Sequence, residues 1–387
     1  MNRDTELRLI RESLATVGAA RPPADGAERE VPVELYLDRA RYDVEVERIH
    51  RGAYNLVAHR SELATPGAFR TMDVVGAPVI LVRDDAGRAR AFLNVCRHRG
   101  ATVELREHGQ CKRFVCPYHA WTYRTDGVLD HVRHRDGFPS LDVDATSLKE
   151  LPCVERGPFV WVCPDPDATP RFDEGAERLI DELAGFDDGY AVYRRERRVW
   201  RANWKLFVEG GIESYHFKIA HRETIASLFT DTRSTYEVYD GHLRSVLPKS
   251  TLADLAERPE SEWRLAEHAN ILYTINPNAT ALVQGGHYAL ISMTPVDIDA
   301  TQIDIATVGR PVPEGAAGEK VRAFLEANHT FTLKTLEEDF RLAEQIQRGL
   351  ATPANTHLRF ATFEGALGAW HDHLEARLTA PDRRTGS

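Results

Sequence analysis

No run of apolar residues approaches the eighteen needed to cross a bilayer. The N-terminus, with Arg3, Asp4, Glu6, Arg8, Arg11 and Glu12, lacks the apolar stretch of a secretory signal. The expectation is a cytoplasmic protein with no membrane partner. Basic runs of five or more are missing too, and 49 Lys and Arg stand against 59 Asp and Glu, a net charge of −10 that argues against nucleic acid as a partner. Cysteine is scarce. Five occur in 387 residues; two fall in a pattern with histidine, and the odd remainder of three, in a reducing compartment, reads as free thiols rather than a disulfide framework. Internal repeats and low-complexity segments do not occur. The length exceeds one compact domain, and two is the natural count.

Two of the five cysteines sit in a distinctive pattern. Cys96-Arg97-His98 is followed, seventeen residues on, by Cys116-Pro117-Tyr118-His119. Each pair offers one thiolate and one imidazole. A two-iron, two-sulfide cluster with Cys on one iron and His on the other needs that set. A Cys2His2 zinc site uses the same four atoms, but its usual spacing groups Cys with Cys and His with His. Of the remaining cysteines, Cys111, Cys153 and Cys163, the first lies five residues from Cys116 and is expected to pack near the cluster.

A second candidate centre lies about a hundred residues on. Asn203-Trp204-Lys205 opens a segment with helical apolar spacing (Trp204, Phe207, Val208, Ile212, Tyr215, Ile219) that carries Glu213, His216 and His221. Residues five apart on a regular α-helix point about 140° away from each other, so these two histidines cannot share a metal there. The segment must contain a π-bulge between them or end near Ala220, and Gly210 with Gly211 makes it easy to distort. Iron(II) enzymes that activate dioxygen often use two His and one carboxylate on one face of the metal. Asp339, in Glu337-Glu338-Asp339-Phe340, is the candidate third ligand, on an inward stripe with Leu336, Phe340, Ala343, Ile346 and Gln347. Glu337, Glu338 and Glu344 read as a solvated helix face.

The strings Cys-Arg-His-Arg-Gly and Cys-Pro-Tyr-His-Ala-Trp resemble the binding loops of Rieske proteins. With Asn-Trp-Lys, Glu-Ser-Tyr-His-x4-His and Glu-Asp-Phe with Gln-Arg-Gly-Leu, the chain resembles the α subunits of Rieske non-haem iron oxygenases from about Glu45 to Leu350. The resemblance implies that Cys96 and Cys116 hold the inner iron of the cluster, and His98 and His119 the outer. It gives His216, His221 and Asp339 to a mononuclear iron, and to Glu213 the place of a bridging carboxylate that is usually Asp in ring-dihydroxylating members. It also implies a homotrimer, in which Glu213 links His98 or His119 of one subunit to His216 or His221 of the next. NAD(P)H would act indirectly through a reductase, with or without a ferredoxin. Ala120 stands where most relatives carry Gly, and Gly210 where many carry Asn.

The expected fold is α+β: an N-terminal antiparallel β Rieske 2Fe-2S domain, then a helix-grip catalytic domain of antiparallel sheet plus long helices. Residues 1–44 would form an N-terminal helical segment on the catalytic domain, 45–165 the Rieske domain, 166–380 the catalytic domain and 381–387 a disordered tail. Strands are expected at Phe69–Val75, Pro78–Arg83, Ala89–Asn94, Arg113–Cys116 and Pro158–Cys163, and in the second half at Ile271–Thr274, Thr280–Val283, Ala289–Pro295 and Gln302–Gly309. Helices are expected over residues 5–19, 174–184 and 319–348. The leading functional reading is a mono- or dioxygenase that hydroxylates an aromatic or related small organic substrate, in aromatic compound catabolism. The alternatives are monooxygenation or oxidative demethylation of a quaternary ammonium or methoxy compound, or an electron carrier without oxygenase activity. The pocket is expected to draw on Phe207, Ile212, Leu228, Phe229, Leu282, Gln284, His287, Ile291 and Phe331. A basic rim of Arg97, Arg99, Arg106, Lys112 and Arg113 would face an acidic redox partner.

Overall fold

The computed structural model describes residues 1–24 and 26–380; the tail expected to be disordered lies outside the described residues. The chain divides into two compact units, residues 50–171 and residues 1–49 together with the described residues from 172 onward.

In the unit of residues 50–171, short antiparallel strands form one five-stranded and two three-stranded sheets. Ala77–Arg83 runs between Ala68–Val74 and Ala89–Leu93, and its Val79-Ile80-Leu81-Val82 core is fully buried. Such a continuous apolar run suits a central strand covered on both faces. Phe69, Phe92, Phe114 and Tyr123 pack with Cys96 and Cys116 in one core, so each loop rests on a rigid hydrophobic base. Cys111 packs against the same core, and no disulfide joins any of the five cysteines.

The other unit is built on a seven-stranded antiparallel sheet: β1 (Ala191–Trp200), β2 (Thr235–Tyr239), β3 (His242–Pro248), β4 (Ala269–Ile275), β5 (Ala279–Gln284), β6 (His287–Asp297) and β7 (Ala300–Gly309), in the order β1-β7-β6-β5-β4-β3-β2. Leu243, Leu272, Ala289, Ile291, Ile303 and Ile305 alternate onto one core, which takes in residues of helix α1 (Trp204–Ile212) and helix α3 (Ala316–Leu350). Strands β1, β2 and β3 escape the sequence pattern. β1 and β2 are the two edge strands, and β1 carries a run of charged residues. β3 hides Arg244, which is fully buried because Glu182 and Glu237 pair with it. Helix α4 (Gly365–Thr379) was also not expected, since its mix of Gly, Ala and His gives little apolar periodicity.

Helix α1 starts where it does because Asn203 caps it, its side chain accepting from the Lys205 amide at 3.1 Å. The Asn203 amide in turn donates to Gln347 Oε1 of α3 at 2.9 Å. Phe340 of α3 packs edge-on to Phe207 and Trp200, with ring centroids 5.4 and 5.2 Å away. These contacts fix the rotation of α3, and with it the direction of the neighbouring Asp339. Helix α1 then stops at Ile212, after Gly210 and Gly211, and Glu213 is extended at φ −123°. A four-residue helix α2 (Phe217–Ala220) follows. The histidines are thus brought together by a helix break before His216 and a stop at Ala220. No π turn forms between them.

Candidate functional site

The first loop and the second share one conformation. In each, the amide four residues past the cysteine donates back to its carbonyl, Gly100 to Cys96 at 2.9 Å and Ala120 to Cys116 at 3.0 Å. Gly100 has φ +77° and Ala120 has φ +60°, so alanine occupies a left-handed position that favours glycine. Ala120 therefore leaves the loop geometry unchanged. The loops bring together Cys96, His98, Cys116 and His119: both thiols are buried, and the imidazole centroids lie 4.7 Å apart. His98 stacks on Trp121 with ring planes 8° apart, and His119 lies against Tyr118.

The donor set fits a two-iron, two-sulfide group. His119 Nδ1 is buried without a hydrogen-bond partner, as an iron-ligating nitrogen would be once the metal is removed. Amides of Tyr118 and His119 donate to the Cys116 sulfur. The Tyr123 hydroxyl accepts from the Arg97 amide at 3.0 Å, which directs its own proton at Cys96 Sγ, 3.4 Å away. Hydrogen bonds to cluster sulfurs of this kind tune reduction potential. The basic rim is partly neutralised: Arg106 pairs with Glu104 at 2.7 Å and Arg113 with Asp130 at 2.9 Å.

In the other unit His216, His221 and Asp339 converge. His216 Nε2 and His221 Nε2 lie 3.2 Å apart, and Asp339 Oδ1 lies 3.3 and 2.9 Å from them. Three ligands on one face of a metal, each roughly 2.1 Å from it and at right angles, have donor atoms about 3 Å apart. The observed spacing fits such an ion. The charges around the imidazoles suit a cation as well. Burial would lower the pKa of His216, but Asp339 and Glu213 outweigh it and raise it to about 10. Burial would likewise raise Asp339, and the two imidazoles instead hold it below its ordinary range. The pocket favours positive charge.

Two carboxylates fix the imidazoles from behind. Glu213 Oε1 binds His216 Nδ1, while its Oε2 accepts from the Tyr215 amide. Glu338 Oε2 lies 2.7 Å from His221 Nδ1 and accepts from the Thr224 hydroxyl at 2.6 Å. The sequence reading that placed Glu338 on a solvated face is corrected. Its partner lies 117 residues away in the chain, so local pattern carries no signal for it. Glu344 accepts from the Arg201 amide, and Glu337 pairs with Arg341.

A cavity of about 280 Å³ opens onto His216 and Asp339. Phe207, Phe340 and Phe360 line it, with Glu209, Glu213 and Glu364 joining Asp339 as its acidic side chains and Arg359 as its one Lys or Arg. Of the expected pocket residues only Phe207 is among those lining it. Ile212 and Ile291 belong to the main core, Phe229 packs with Phe217 and Leu247 under a partly buried Leu282, and Leu228 and Phe331 are exposed. Ile346 lines the cavity but is also exposed, off the inward stripe assigned to it. Tyr36 and His371, which hold Glu209, were not picked out by sequence reasoning. Each is a lone polar residue whose role appears only through its partner.

Comparison with known proteins agrees with this layout. Residues 186–380 match the family model of the ring hydroxylating alpha subunit (catalytic domain), and residues 53–148 that of the Rieske 2Fe-2S domain. The chain is 33% identical over 236 residues to the glycine betaine monooxygenase oxygenase subunit of Chromohalobacter salexigens, covering 60% of this chain and 50% of that one. It is 34% identical over 196 residues to the carnitine monooxygenase oxygenase subunit of Escherichia coli K12, covering 49% and 52%. The chain thus spans about half the length of these curated relatives. A solved quaternary ammonium Rieske monooxygenase superposes with a TM-score of 0.77 at 25% identity, over 92% of this chain and 97% of that one.

Proposed function

The chain belongs to the ring hydroxylating alpha subunit family, and from that premise we propose that it is the oxygenase component of a Rieske-type system. Electrons from NAD(P)H would arrive singly through a reductase, with or without a ferredoxin, at a cluster held by Cys96, His98, Cys116 and His119. They would pass to an iron(II) held by His216, His221 and Asp339. Bound iron(II) supplies the reaction with dioxygen, and a small organic substrate receives oxygen. The observation that carries this reading is the convergence of the three ligand atoms at 2.9 to 3.3 Å beside a cavity.

The residues around the metal divide the remaining work. Glu338 holds the proton on His221 Nδ1 and so presents Nε2 as the ligand atom. Glu213 does the same for His216. Its second role would be to reach a cluster histidine of a neighbouring subunit in a homotrimer, so that one carboxylate links the two metals. An electron carrier without oxygenase activity would have no need of the His-His-Asp set. Five cysteines without a disulfide among them suit a reducing cytoplasm.

Between an aromatic and a quaternary ammonium substrate, the cavity favours the ammonium. It carries more acid than base beside three aromatic rings, a combination that binds cations. The relatives named for glycine betaine and carnitine point the same way. Monooxygenation at an N-methyl group would place one oxygen atom on carbon and reduce the other to water with two electrons and two protons.

Iron-loaded chain with a surrogate reductase, fed a substrate panel under 18O2, tests the proposal. Transfer of one labelled oxygen to an N-methyl carbon, released as labelled formaldehyde or retained as the alcohol, is expected. Oxygen consumption with no labelled product from any substrate would contradict it.

A further inference from the structure

The cavity's charged side chains are not equivalent. Glu213 spends both oxygens on His216 and the Tyr215 amide. Glu364 accepts from the Ala361 amide at 2.7 Å, and burial pushes its pKa up, toward the neutral acid. Arg359, the one Lys or Arg, pairs with Glu30 at 2.7 Å. Glu213 and Arg359 thus have partners within the chain, Asp339 faces the two imidazoles, and Glu364 is only partly buried.

Glu209 differs. It is 7% exposed, lines the cavity from α1, and takes both of its hydrogen bonds on Oε1: from Tyr36 Oη at 2.7 Å and from His371 Nε2 at 3.0 Å. Oε2 accepts none, and no Lys or Arg among the described residues pairs with Glu209. Lys205, one helical turn back, is occupied by Glu45 at 2.5 Å. Tyr36 and His371 are themselves buried, and burial together with Glu209 keeps the Tyr36 phenol protonated, so it serves as donor. One oxygen of the carboxylate is clamped, with His371 as its only possible ionic partner, and the other is left open in a buried place where an unpartnered carboxylate oxygen is unfavourable. A cation in the cavity would supply that partner, with the Phe207 and Phe360 rings adding their negative faces.

We propose that Glu209, clamped by Tyr36 and His371, is the residue that selects a positively charged ammonium head group in this cavity. The inference rests on the oxygenase reading for its site, but its test does not need turnover. Two pairs of probes differ only in N⁺ against C: choline with 3,3-dimethylbutan-1-ol, and glycine betaine with 3,3-dimethylbutanoate. Calorimetric binding to the iron-loaded chain should favour at least one cation over its carbon analogue by 10-fold or more. Glu209→Gln should bring that ratio within about 2-fold while iron content and the cluster's paramagnetic signal stay unchanged. Tyr36→Phe, which frees the carboxylate without removing it, should lower the ratio about 3-fold and serves if Glu209→Gln does not fold. A wild-type chain that binds neither cation above its analogue, or a ratio that survives Glu209→Gln, overturns the inference. Selective cation binding without any labelled product in the 18O2 experiment would sink the oxygenase reading and leave Glu209's role standing.

Discussion

Glu338 and His221 meet at 2.7 Å across 117 residues of chain, and the contact decides which nitrogen His221 offers to a metal. With Nδ1 committed to the carboxylate, Nε2 faces His216 and Asp339. Outer partners of this kind are typically worth about 10- to 100-fold in metal affinity. Glu338→Gln should therefore weaken iron(II) binding by about that factor without loss of fold. Competition with a chelator measures it, and unchanged affinity would mean that Thr224 or the backbone suffices to hold the ring.

The cluster loops yield a stability prediction. Ala120 is held at φ +60° in a turn whose twin carries Gly100. A left-handed alanine is disfavoured by about 1 kcal/mol. Ala120→Gly should raise the thermal stability of the cluster-loaded chain by roughly that amount. A fall in stability would show that the Cβ makes compensating contacts.

Beneath α1, Lys205 and Glu45 are both fully buried, 2.5 Å apart, and Arg41 binds the other Glu45 oxygen at 2.9 Å. Removing one member strands a charge, at a loss of about 3–5 kcal/mol. Glu45→Ala should destabilise the chain by that much, and Glu45→Ala with Lys205→Met should recover most of it. A double variant no more stable than the single one would show that the pair itself, rather than the stranded charge, matters.

His373 predicts a pH dependence. Burial first, then the positive field of His242 and Arg377, lowers its pKa to about 4, and Nε2 has no partner. The unfolded chain, with the ordinary value near 6.5, binds the proton first as pH falls. This contribution is complete above pH 6.5 and is lost progressively as pH falls toward 4, amounting to about 2 kcal/mol by pH 5. Stability at pH 7 and pH 5 should differ by about 2 kcal/mol less in His373→Gln than in the wild-type chain. Equal differences would remove His373 from the titration.

Metal-binding spacing was the most legible part of the sequence. Cys96-x-His98 and Cys116-x2-His119 announce themselves as candidate ligands because each pair sits within one loop. Long periodic elements were legible too: the helix expected over 319–348 runs Ala316–Leu350, and the one over 174–184 is Glu174–Ala184. The means of joining His216 to His221 was not, since a π-bulge and a helix break satisfy the same geometric demand and the sequence does not choose between them. Long-range polar partnerships were invisible. Glu338, Tyr36 and His371 look like a surface acid, a core aromatic and an ordinary imidazole until tertiary folding places each against its partner. Buried Arg244 hid strand β3 for the same reason.

Iron counting with spectroscopy addresses the central claim, that one chain holds both a Cys2His2 cluster and a separate His-His-Asp iron. Anaerobically reconstituted wild-type chain should contain about three irons and, once reduced, show the rhombic paramagnetic signal of a cluster with mixed nitrogen and sulfur ligation. Asp339→Ala should hold about two irons with that signal intact. Two irons in the wild-type chain, or three in the variant, would contradict the account.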